Sequence, residues 1–383
     1  MIRIAFLGYG TVGQAFAEVL LSQTRIPVKI QAGLVRDPGR TRKGPPIRLT
    51  TVPEAVLDAP DVDVIVDVMG GRHPALPWVS RAISQGKSVI SANKELIAAH
   101  GPELSALAAD HGVFLAYEAA VGGGMPILET LKTHFSGAPV TRFLGILNGT
   151  TNYILSRLEA GEEFSAALAN AQEHGYAEPD ASNDLDGTDI ARKLAIAFGL
   201  LFGPPANFEI APRGGVQSDL GFVIKRVRTF GWRLKVLAIA DSQGGVQVWP
   251  TLVPKDHHLA GVQGVTNAVG VEVHGHWFWF EGPGAGGQAT SLSLLADLYR
   301  GYDQRFRSGR LPELAGREVH PITMPWVGFG QDADRSPQTF SAPAGSIQQE
   351  QYWITPPMDQ PRAAAWVAKN PGLLAYPAIL KER

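Results

Sequence analysis

The part of the sequence best equipped for chemistry is a run of carboxylates that leads into a lysine. The run comprises Glu178, Asp180, Asp184, Asp186, Asp189 and Lys193. Asp189 and Lys193 are four residues apart on a predicted helix and share one face, which in most proteins makes only a solvated ion pair. Carboxylates this dense repel one another when buried unless a cation lies among them, and an amino-acid ammonium is one candidate. The stretch therefore predicts a proton donor beside an ammonium-binding site, with a solvated charged face as the alternative.

A second lysine, Lys94, follows a strand-like run in the segment Ser91-Ala92-Asn93-Lys94. In open α/β sheets ligands bind at the carboxyl ends of the strands, which is where this lysine is predicted to lie. A loop lysine is more often solvated, so Lys94 supports a functional role only together with its neighbours.

A glycine-rich turn, Gly8-Tyr9-Gly10-Thr11-Val12-Gly13, follows the first predicted strand and opens a helix. This is the context that the dinucleotide-binding fingerprint requires. Gly8 permits the tight turn, Gly10 lets the backbone approach a pyrophosphate, and Gly13 allows close packing of helix on strand. The helix N-terminus adds amide donors and the positive end of the helix dipole. Gly70, in a glycine pair after the third strand, is a further candidate for cofactor contact, with a plain turn as the alternative.

The residues after the second predicted strand bear on the choice of cofactor. An acidic residue there binds the adenosine ribose of NAD, whereas an arginine accommodates the 2′-phosphate of NADP. The strand ends in Arg36 and Asp37, and Arg40, Arg42 and Lys43 follow. The basic surroundings favour NADP(H), and Asp37 leaves NAD(H) as the alternative.

The elements that must position these residues fall into two patterns. Over the first 140 residues, β-rich runs alternate with helical stretches, which is typical of a parallel sheet with crossover helices. The predicted strands there are Ile2–Leu7, Val28–Val35, Val62–Val68, Ser88–Ser91 and Val113–Tyr117. Later strand-like runs are Arg142–Leu147, Gly245–Val253 and Val269–Phe280. We predict an α/β protein: a Rossmann-type cofactor domain (residues 1–140 and about 282–300) and an α+β substrate-binding and dimerisation domain (residues 141–281).

The last 83 residues, 301–383, differ in composition and pattern from the rest of the chain. They hold 10 of the 28 prolines and show no sustained helical or strand periodicity. We expect an ordered but irregular C-terminal extension. Trp277 and Trp279 are two residues apart in a predicted strand of the second domain, so their side chains lie on the same face of the sheet. An exposed aromatic sheet face commonly meets a partner, so we expect a homodimer through this domain.

Composition excludes several classes of protein. The 383 residues carry a net charge of −2, which gives no electrostatic support for a nucleic-acid or anionic-membrane partner. The absence of cysteine excludes disulfides, thiolate metal sites and a cysteine nucleophile, and it is compatible with the cytoplasm. No apolar run reaches the roughly 18 residues of a membrane span. A cytoplasmic enzyme that acts on a small molecule is the expectation.

Several segments together resemble the homoserine dehydrogenases, which interconvert L-aspartate 4-semialdehyde and L-homoserine on the route to threonine and methionine. They are Gly8–Gly13, Ser91–Lys94, Glu118–Pro126, Gly145–Tyr153, Gly175–Asp180, Asp184–Asp189 and Ala191–Lys193, with weaker matches at Asn267–Val269 and Gly282–Gly286. They follow the order of the family and cover roughly residues 1–300. A related oxidoreductase for another small amino-acid aldehyde, and a non-catalytic cofactor-binding regulator, remain as alternatives.

The resemblance implies a role for each matched residue. Lys193 is the acid or base of hydride transfer, Lys94 assists near cofactor and substrate, and Asp189 orients Lys193. The implied substrate-binding residues are Glu178, Asp184, Gly149 and Thr150. To the candidate cofactor-binding residues of the glycine turn and the strand ends the resemblance adds Lys94 and Gly286, so that the full set is Gly8, Gly10, Thr11, Val12, Gly13, Arg36, Gly70, Lys94 and Gly286.

The resemblance also implies a site for a monovalent cation, Na⁺ or K⁺. Its ligands would be Glu118 and the backbone carbonyls of Val121, Gly123 and Met125. Irregular glycine-rich backbone can turn carbonyls towards a hard cation, and a hinge between two domains is the alternative. Many bacterial members add a regulatory domain that binds an amino acid, and residues 301–383 do not display its alternating strands and helices.

Overall fold

The computed structural model describes residues 1–22, 26–204, 214–217, 220–284, 286–303, 319–330, 342–344, 346–349, 352–370 and 373–380. Ala285 of the second glycine loop, and 304–318 and 331–341 of the predicted extension, lie outside the described residues. The chain divides into two compact units. The first comprises Met1–Ala138, Ala195–Phe208 and Phe280–Arg317, and the second comprises Pro139–Leu194, Glu209–Trp279 and Glu318–Arg383.

The strands form three sheets. They are β1 (Ile2–Leu7), β2 (Val28–Leu34), β3 (Leu49–Thr50), β4 (Val64–Asp67), β5 (Ser88–Ser91), β6 (Leu115–Ala116), β7 (Val140–Ile146), β8 (Trp232–Asp241), β9 (Gly245–Pro254), β10 (Thr266–Val273), β11 (His276–Pro283), β12 (His320–Pro321), β13 (Trp326–Gly330), β14 (Ile347–Gln348), β15 (Trp353–Ile354) and β16 (Leu373–Pro377). Most strands before residue 300 were predicted, but β3 and β8 were missed, and the predicted run Val269–Phe280 is divided between β10 and β11. β8 pairs with β9 along its length.

The helices complete the two units. They are α1 (Thr11–Ser22), α2 (Glu54–Leu57), α3 (Ala75–Ser84), α4 (Lys94–Asp110), α5 (Leu128–Thr133), α6 (Gly149–Glu159), α7 (Phe164–Glu173), α8 (Ser182–Leu185), α9 (Thr188–Phe202), α10 (Leu220–Thr229), α11 (Gly287–Asp303) and α12 (Gln360–Ala368). Over the part of the chain that the structure describes, every helix is too short or too polar to cross a membrane.

The first unit is built on a six-stranded sheet in the order β3-β2-β1-β4-β5-β6. All of its pairs are parallel. The order reverses direction between β1 and β4, which is the switch point where doubly wound sheets bind ligands at their carboxyl ends. The predicted Rossmann-type sheet is therefore confirmed.

Helices α1 and α11 cover this sheet next to the switch point. The buried residues of α1 recur at helical spacing, as in Gly13, Phe16 and Leu20, so one apolar stripe faces the sheet. Phe16 and Leu20 share a core with Phe6 of β1 and with Leu294 of α11. Packing of α1 against the sheet fixes its N-terminus beside the carboxyl end of β1.

The second unit contains a mixed sheet in the order β11-β10-β7-β8-β9-β12. β7 lies between β10 and β8 and pairs with both in antiparallel fashion. Helices α6 and α10 pack against β8. The end of β7 and the start of α6 are consecutive in the chain, so the residues between them are held by both the sheet and the helix layer.

The C-terminal part of the second unit is more regular than the irregular extension expected from the sequence. It forms a small antiparallel sheet in the order β14-β15-β13-β16, with α12 between the third and fourth strands. Numbered from its own first strand the order is 2-3-1-4, as in the βαββαβ motif. Two of these strands have only two residues, too few for an alternating pattern to be detected in the sequence. Their core includes Trp326 and Trp366.

Candidate active site

The glycine turn after β1 leaves open space above the N-terminus of α1. Gly8 has a φ of +91°, and a Cβ there would lie 3.1 Å from the carbonyl oxygen of Val68. A Cβ at Gly13 would lie 3.0 Å from the carbonyl oxygen of Gly8, whereas one at Gly10 would meet nothing within 4 Å. The turn therefore packs against protein at Gly8 and Gly13 and is open at Gly10. A pyrophosphate needs this open space to approach the backbone amides from Thr11 onwards.

The basic segment after β2 folds back on the glycine turn. The guanidinium of Arg42 donates to the carbonyl oxygens of Tyr9 (3.1 Å) and Asp37 (2.9 Å). The Tyr9 hydroxyl donates to the carbonyl oxygen of Pro45 at 2.7 Å. Arg36 is exposed at the end of β2. The structure therefore holds Arg42 beside the fingerprint, whereas the sequence singled out Arg36.

Lys94 is the first residue of α4 and is half-buried. Asn93 caps this helix, because its side-chain oxygen accepts from the amide of Leu96 at 3.2 Å. The Asn93 amide group donates to the carbonyl oxygen of Gly71 at 2.8 Å. A Cβ at Gly70 would meet nothing within 4 Å. Lys94 thus starts from a fixed backbone at the carboxyl end of β5, next to the open turn after β4.

Asp67 was missed by sequence reasoning, although it ends the strand next to Lys94's own. It is fully buried, and this burial raises its pKa from 3.8 to about 6. Its position as the last residue of a run of hydrophobic residues in Val64–Asp67 was the one signal the sequence offered.

In the second unit, Lys193 and Asp189 form a buried pair on the first turns of α9. The ammonium of Lys193 lies 2.7 Å from the Asp189 carboxylate and donates to the carbonyl oxygen of Leu147 at 2.8 Å. Relative exposure is 9% for Lys193 and 1% for Asp189. The predicted spacing on one helix face is correct, and burial distinguishes this pair from an ordinary surface ion pair.

Asn148 connects this pair to the acidic run, and sequence reasoning did not single it out. Its amide group donates to the carboxylates of Asp184 and Asp189, both at 2.8 Å. Its side-chain oxygen caps α6 by accepting from the amide of Thr151 at 2.8 Å. The preference of asparagine for helix N-caps was the available signal. We call Lys193, Asp189, Asn148, Asp184 and the Leu147 carbonyl the Lys193 cluster.

Other residues of the acidic run have different roles. Asp186 accepts from the amide of Thr188 at 2.7 Å and thereby caps α9. Asp180 accepts from the amide of Ser182 at 3.1 Å, and hydrogen bonding from the Ser182 side chain, together with this amide, lowers the pKa of its exposed carboxyl. Glu178 is exposed on the preceding turn. Local capping therefore accounts for part of the carboxylate density, and Asp184 and Asp189 are the carboxylates drawn into the cluster.

The start of α6 carries the two other predicted substrate residues. Gly149 and Thr150 are buried in its first turn. The Thr150 hydroxyl donates to the carbonyl oxygen of Tyr176 at 2.5 Å. This bond ties α6 to the turn that leads to Glu178.

The carboxylate of Glu118 is already bonded to protein groups in the first unit. It accepts from the backbone amides of Ile127 (2.6 Å), Leu128 (2.9 Å) and Glu129 (2.8 Å) at the start of α5. Its other neighbour is Arg300, at 3.6 Å. The Glu118 carboxylate thus acts as a helix cap and ion-pair partner, and its role as a cation ligand stays a prediction.

The loop that follows Glu118 is fixed to the segment around Gly286. The Ser293 hydroxyl of α11 donates to the carbonyl oxygen of Gly123 at 2.6 Å, and the Gly124 amide donates to the carbonyl oxygen of Pro283 at 3.0 Å. Gly286 precedes α11 with a φ of +106°. The two glycine loops of the first unit are therefore neighbours.

Comparison with known proteins points to the homoserine dehydrogenases. The family model described as homoserine dehydrogenase matches residues 126–299, and that described as homoserine dehydrogenase, NAD binding domain, matches residues 8–118. A homoserine dehydrogenase from Synechocystis sp. is 41% identical over 315 residues, which cover 78% of this chain and 72% of that protein.

Solved structures agree with this result. A homoserine dehydrogenase from Thiobacillus denitrificans superposes with a TM-score of 0.84 at 29% identity, covering 99% of this chain and 98% of that chain. A hyperthermophilic archaeal homoserine dehydrogenase in complex with NADPH gives a TM-score of 0.66 at 26% identity, covering 80% of this chain and 98% of that one. The dinucleotide fold, the buried Lys193 cluster and these matches lead to one conclusion: the chain belongs to the homoserine dehydrogenase family.

Proposed function

We propose that this chain interconverts L-homoserine and L-aspartate 4-semialdehyde with NADP(H) as its preferred cofactor, and that Lys193 is the proton carrier. The observation that carries the proposal is the buried ammonium of Lys193, held 2.7 Å from Asp189 and 2.8 Å from the Leu147 carbonyl oxygen. The nicotinamide, when bound, accepts or supplies the hydride.

Lys193, its two hydrogen-bonding partners and Lys94 have distinct parts in this reaction. In homoserine oxidation the neutral amine of Lys193 takes the hydroxyl proton as the hydride leaves the carbon that bears this hydroxyl, and in reduction its ammonium gives the proton back to the aldehyde oxygen. Asp189 and the Leu147 carbonyl fix the direction of the Lys193 side chain. Lys94 assists as a second positive charge near the oxygen that develops negative charge.

Substrate binding rests on the acidic side chains and on the start of α6. Asp184 and Glu178 hold the substrate ammonium, and Gly149 and Thr150 shape the adjoining wall. Asp184 is half-buried and oriented by Asn148, so it is the better supported of the two carboxylates.

The proposed preference for NADP(H) rests on the arginines at the end of β2. Arg36 is exposed, and Arg42 is held against the glycine turn by the Tyr9 carbonyl oxygen. Positive charge at this place accommodates a 2′-phosphate. The archaeal relative solved with NADPH supports the same choice.

The proposed monovalent cation site comprises Glu118 and three backbone carbonyls of the loop that follows it. The carbonyls are those of Val121, Gly123 and Met125, in a loop whose Gly122 and Gly123 have φ values of +82° and +63°. Carbonyl oxygens carry two lone pairs, so the bond from Ser293 leaves Gly123 able to bind a cation. Activity in KCl or NaCl above that in choline chloride of equal ionic strength tests this site.

The proposed homodimer uses the aromatic face of the second unit. Trp277 and Trp279 stack with ring centroids 5.3 Å apart, and His258 stacks on Trp279 at 4.5 Å. These rings line a cavity of about 710 Å³ together with Ile322 and Ile379. An apolar surface of this kind favours cover by a second copy of the chain.

A steady-state assay tests the function. Wild-type protein should reduce NADP in the presence of L-homoserine, and Lys193→Ala should lower kcat by about 10²–10⁴-fold while NADPH still binds. Lys225→Ala, which removes an exposed lysine of α10 in the same unit, is the matched control and should keep wild-type kcat. Absence of homoserine-dependent reduction of either NADP or NAD would refute the proposal, and full activity of Lys193→Ala would refute the proton carrier.

A further inference from the structure

Asp67 occupies a central place at the ligand-binding edge of the first sheet. It is the last residue of β4 and pairs with Leu7 of β1 and with Ser91 of β5. The next residue, Val68, has its carbonyl oxygen 3.1 Å from where a Cβ on Gly8 would lie. Asp67 thus lies at the switch point, directly beside the glycine turn.

Its carboxylate joins two chain segments by hydrogen bonds. One oxygen accepts from the amide of Met69 at 3.1 Å, and the other accepts from the Ser91 hydroxyl at 2.9 Å. The Ser91 oxygen in turn accepts from the amide of Asn93 at 3.1 Å. The carboxylate thereby holds the turn after β4 and the turn after β5 in one network.

The same network reaches Lys94 through Asn93. Asn93 caps α4 at the amide of Leu96 and bonds the Gly71 carbonyl oxygen at 2.8 Å. Lys94 is the first residue of the helix and directly follows the cap. A change at Asp67 that alters the hydrogen bonds of Ser91 therefore moves the cap, and with it the origin of the Lys94 side chain.

We propose that Asp67 is a positioning residue of the hydride-transfer site, whose carboxylate holds Lys94 and the turn 69–71 in the geometry that reaction requires. The inference rests on the proposed function, because Lys94 is assigned there to the developing charge. A buried carboxylate is costly, so a carboxylate that joins two turns at the ligand-binding edge of the sheet points to function rather than to stability.

The charge of Asp67 gives the inference a pH signature. Burial raises its pKa to about 6, opposed by the Met69 amide, the Ser91 hydroxyl and Asn93. None of these three groups titrates near neutral pH. Below about pH 6 the protonated carboxyl becomes a donor and competes with the Ser91 hydroxyl, so the network loses its arrangement and kcat falls.

The test compares the same substitution at the two ends of one strand. Asp67→Asn removes the charge at the carboxyl end, and Asp63→Asn removes the carboxylate that binds the Arg3 guanidinium at the other end. For Asp67→Asn we expect kcat at pH 8 to fall by roughly 10–100-fold, since small displacements of catalytic groups cost this much. KM for homoserine should stay within about threefold of wild type, and the decline of kcat below pH 6 should vanish. Asp63→Asn should keep wild-type kcat and its acid limb.

Two further measurements separate positioning from folding. The melting temperature of Asp67→Asn should equal or exceed that of wild type, and NADPH affinity by fluorescence titration should change less than kcat. Ser91→Ala should lower kcat in the same direction, and the double variant should lose no more than the worse single one because both act through one network.

Three results would overturn the inference: wild-type kcat and acid limb in Asp67→Asn, equal losses in Asp63→Asn, or a lower melting temperature that accounts for the loss. A wild-type protein that binds NADPH but does not oxidise homoserine would refute the proposed function itself, and the positioning role would fall with it. Homoserine oxidation by the wild-type protein therefore shows whether the proposed function or only the positioning role of Asp67 has failed.

Discussion

Replacing Asp67 by Asn should make the protein more stable at pH 8, by an amount that follows from its burial. The folded-state pKa is about 6 against an ordinary value of 3.8, and one pKa unit corresponds to about 1.4 kcal/mol. The ionised side chain therefore opposes folding by up to about 3 kcal/mol above pH 6. An amide of the same shape removes that cost, so we expect a gain of about 1–3 kcal/mol after relaxation of the site.

The pH dependence of this gain has a definite sign. Because the folded-state pKa is raised, the stability that Asp67 contributes is fully present below pH 3.8 and is lost as the pH rises through about 6. The advantage of the variant should therefore be about half its full size at pH 5 and constant above pH 7. Thermal unfolding between pH 5 and pH 8 measures it, with an expected rise in Tm of roughly 2–10 °C at pH 8. A variant less stable than wild type at pH 8, or a difference independent of pH, would refute the reasoning.

Three other predictions concern the rest of the site and the proposed dimer. Asn148→Ala should lower stability by about 1–2 kcal/mol through loss of the α6 cap and kcat/KM by roughly 10–100-fold, whereas Asn148→Ser should recover the stability but not the activity; denaturation and steady-state kinetics on both variants decide this, and equal recovery would remove Asn148 from the catalytic arrangement. Arg36→Ala should raise KM for NADP by roughly tenfold and leave KM for NAD nearly unchanged; equal effects on the two cofactors would contradict the assignment. Trp279→Ser should convert the dimer to a monomer in light scattering at micromolar concentration, and a wild-type monomer under those conditions would disprove the interface.

The spacing of residues in the sequence was enough to predict those parts of the site whose residues lie within a few positions of one another. The glycine fingerprint is one turn between a strand and a helix, and Gly8 adopts the left-handed φ of +91° that such a turn requires. Asp189 and Lys193 are one helical turn apart, and they do pair. Such features depend on backbone geometry over four to six residues, so they can be predicted from the sequence pattern.

Chain segments brought together over long separations were not predictable in this way. Asn148 meets Asp184 and Asp189 across 36 and 41 positions, a contact that depends on where the end of β7 lies relative to α9. The Glu118 carboxylate accepts from an amide at the start of α5 and pairs with Arg300, which lies 182 positions further along the chain. The spacing of residues in the sequence shows which side chains are available, but it does not show which hydrogen bonds those side chains make in the folded protein.

The sequence by itself determined the parallel α/β order of the first unit, the dinucleotide turn and the lysine with its helical neighbour, because each depends on short-range periodicity. Only the tertiary structure decided that Asp67 is buried at the switch point, that part of the acidic run caps helices, and that the C-terminal segment forms a sheet from strands as short as two residues. Burial and strand pairing arise from packing between distant segments. They set the protonation and orientation of the side chains on which hydride transfer depends.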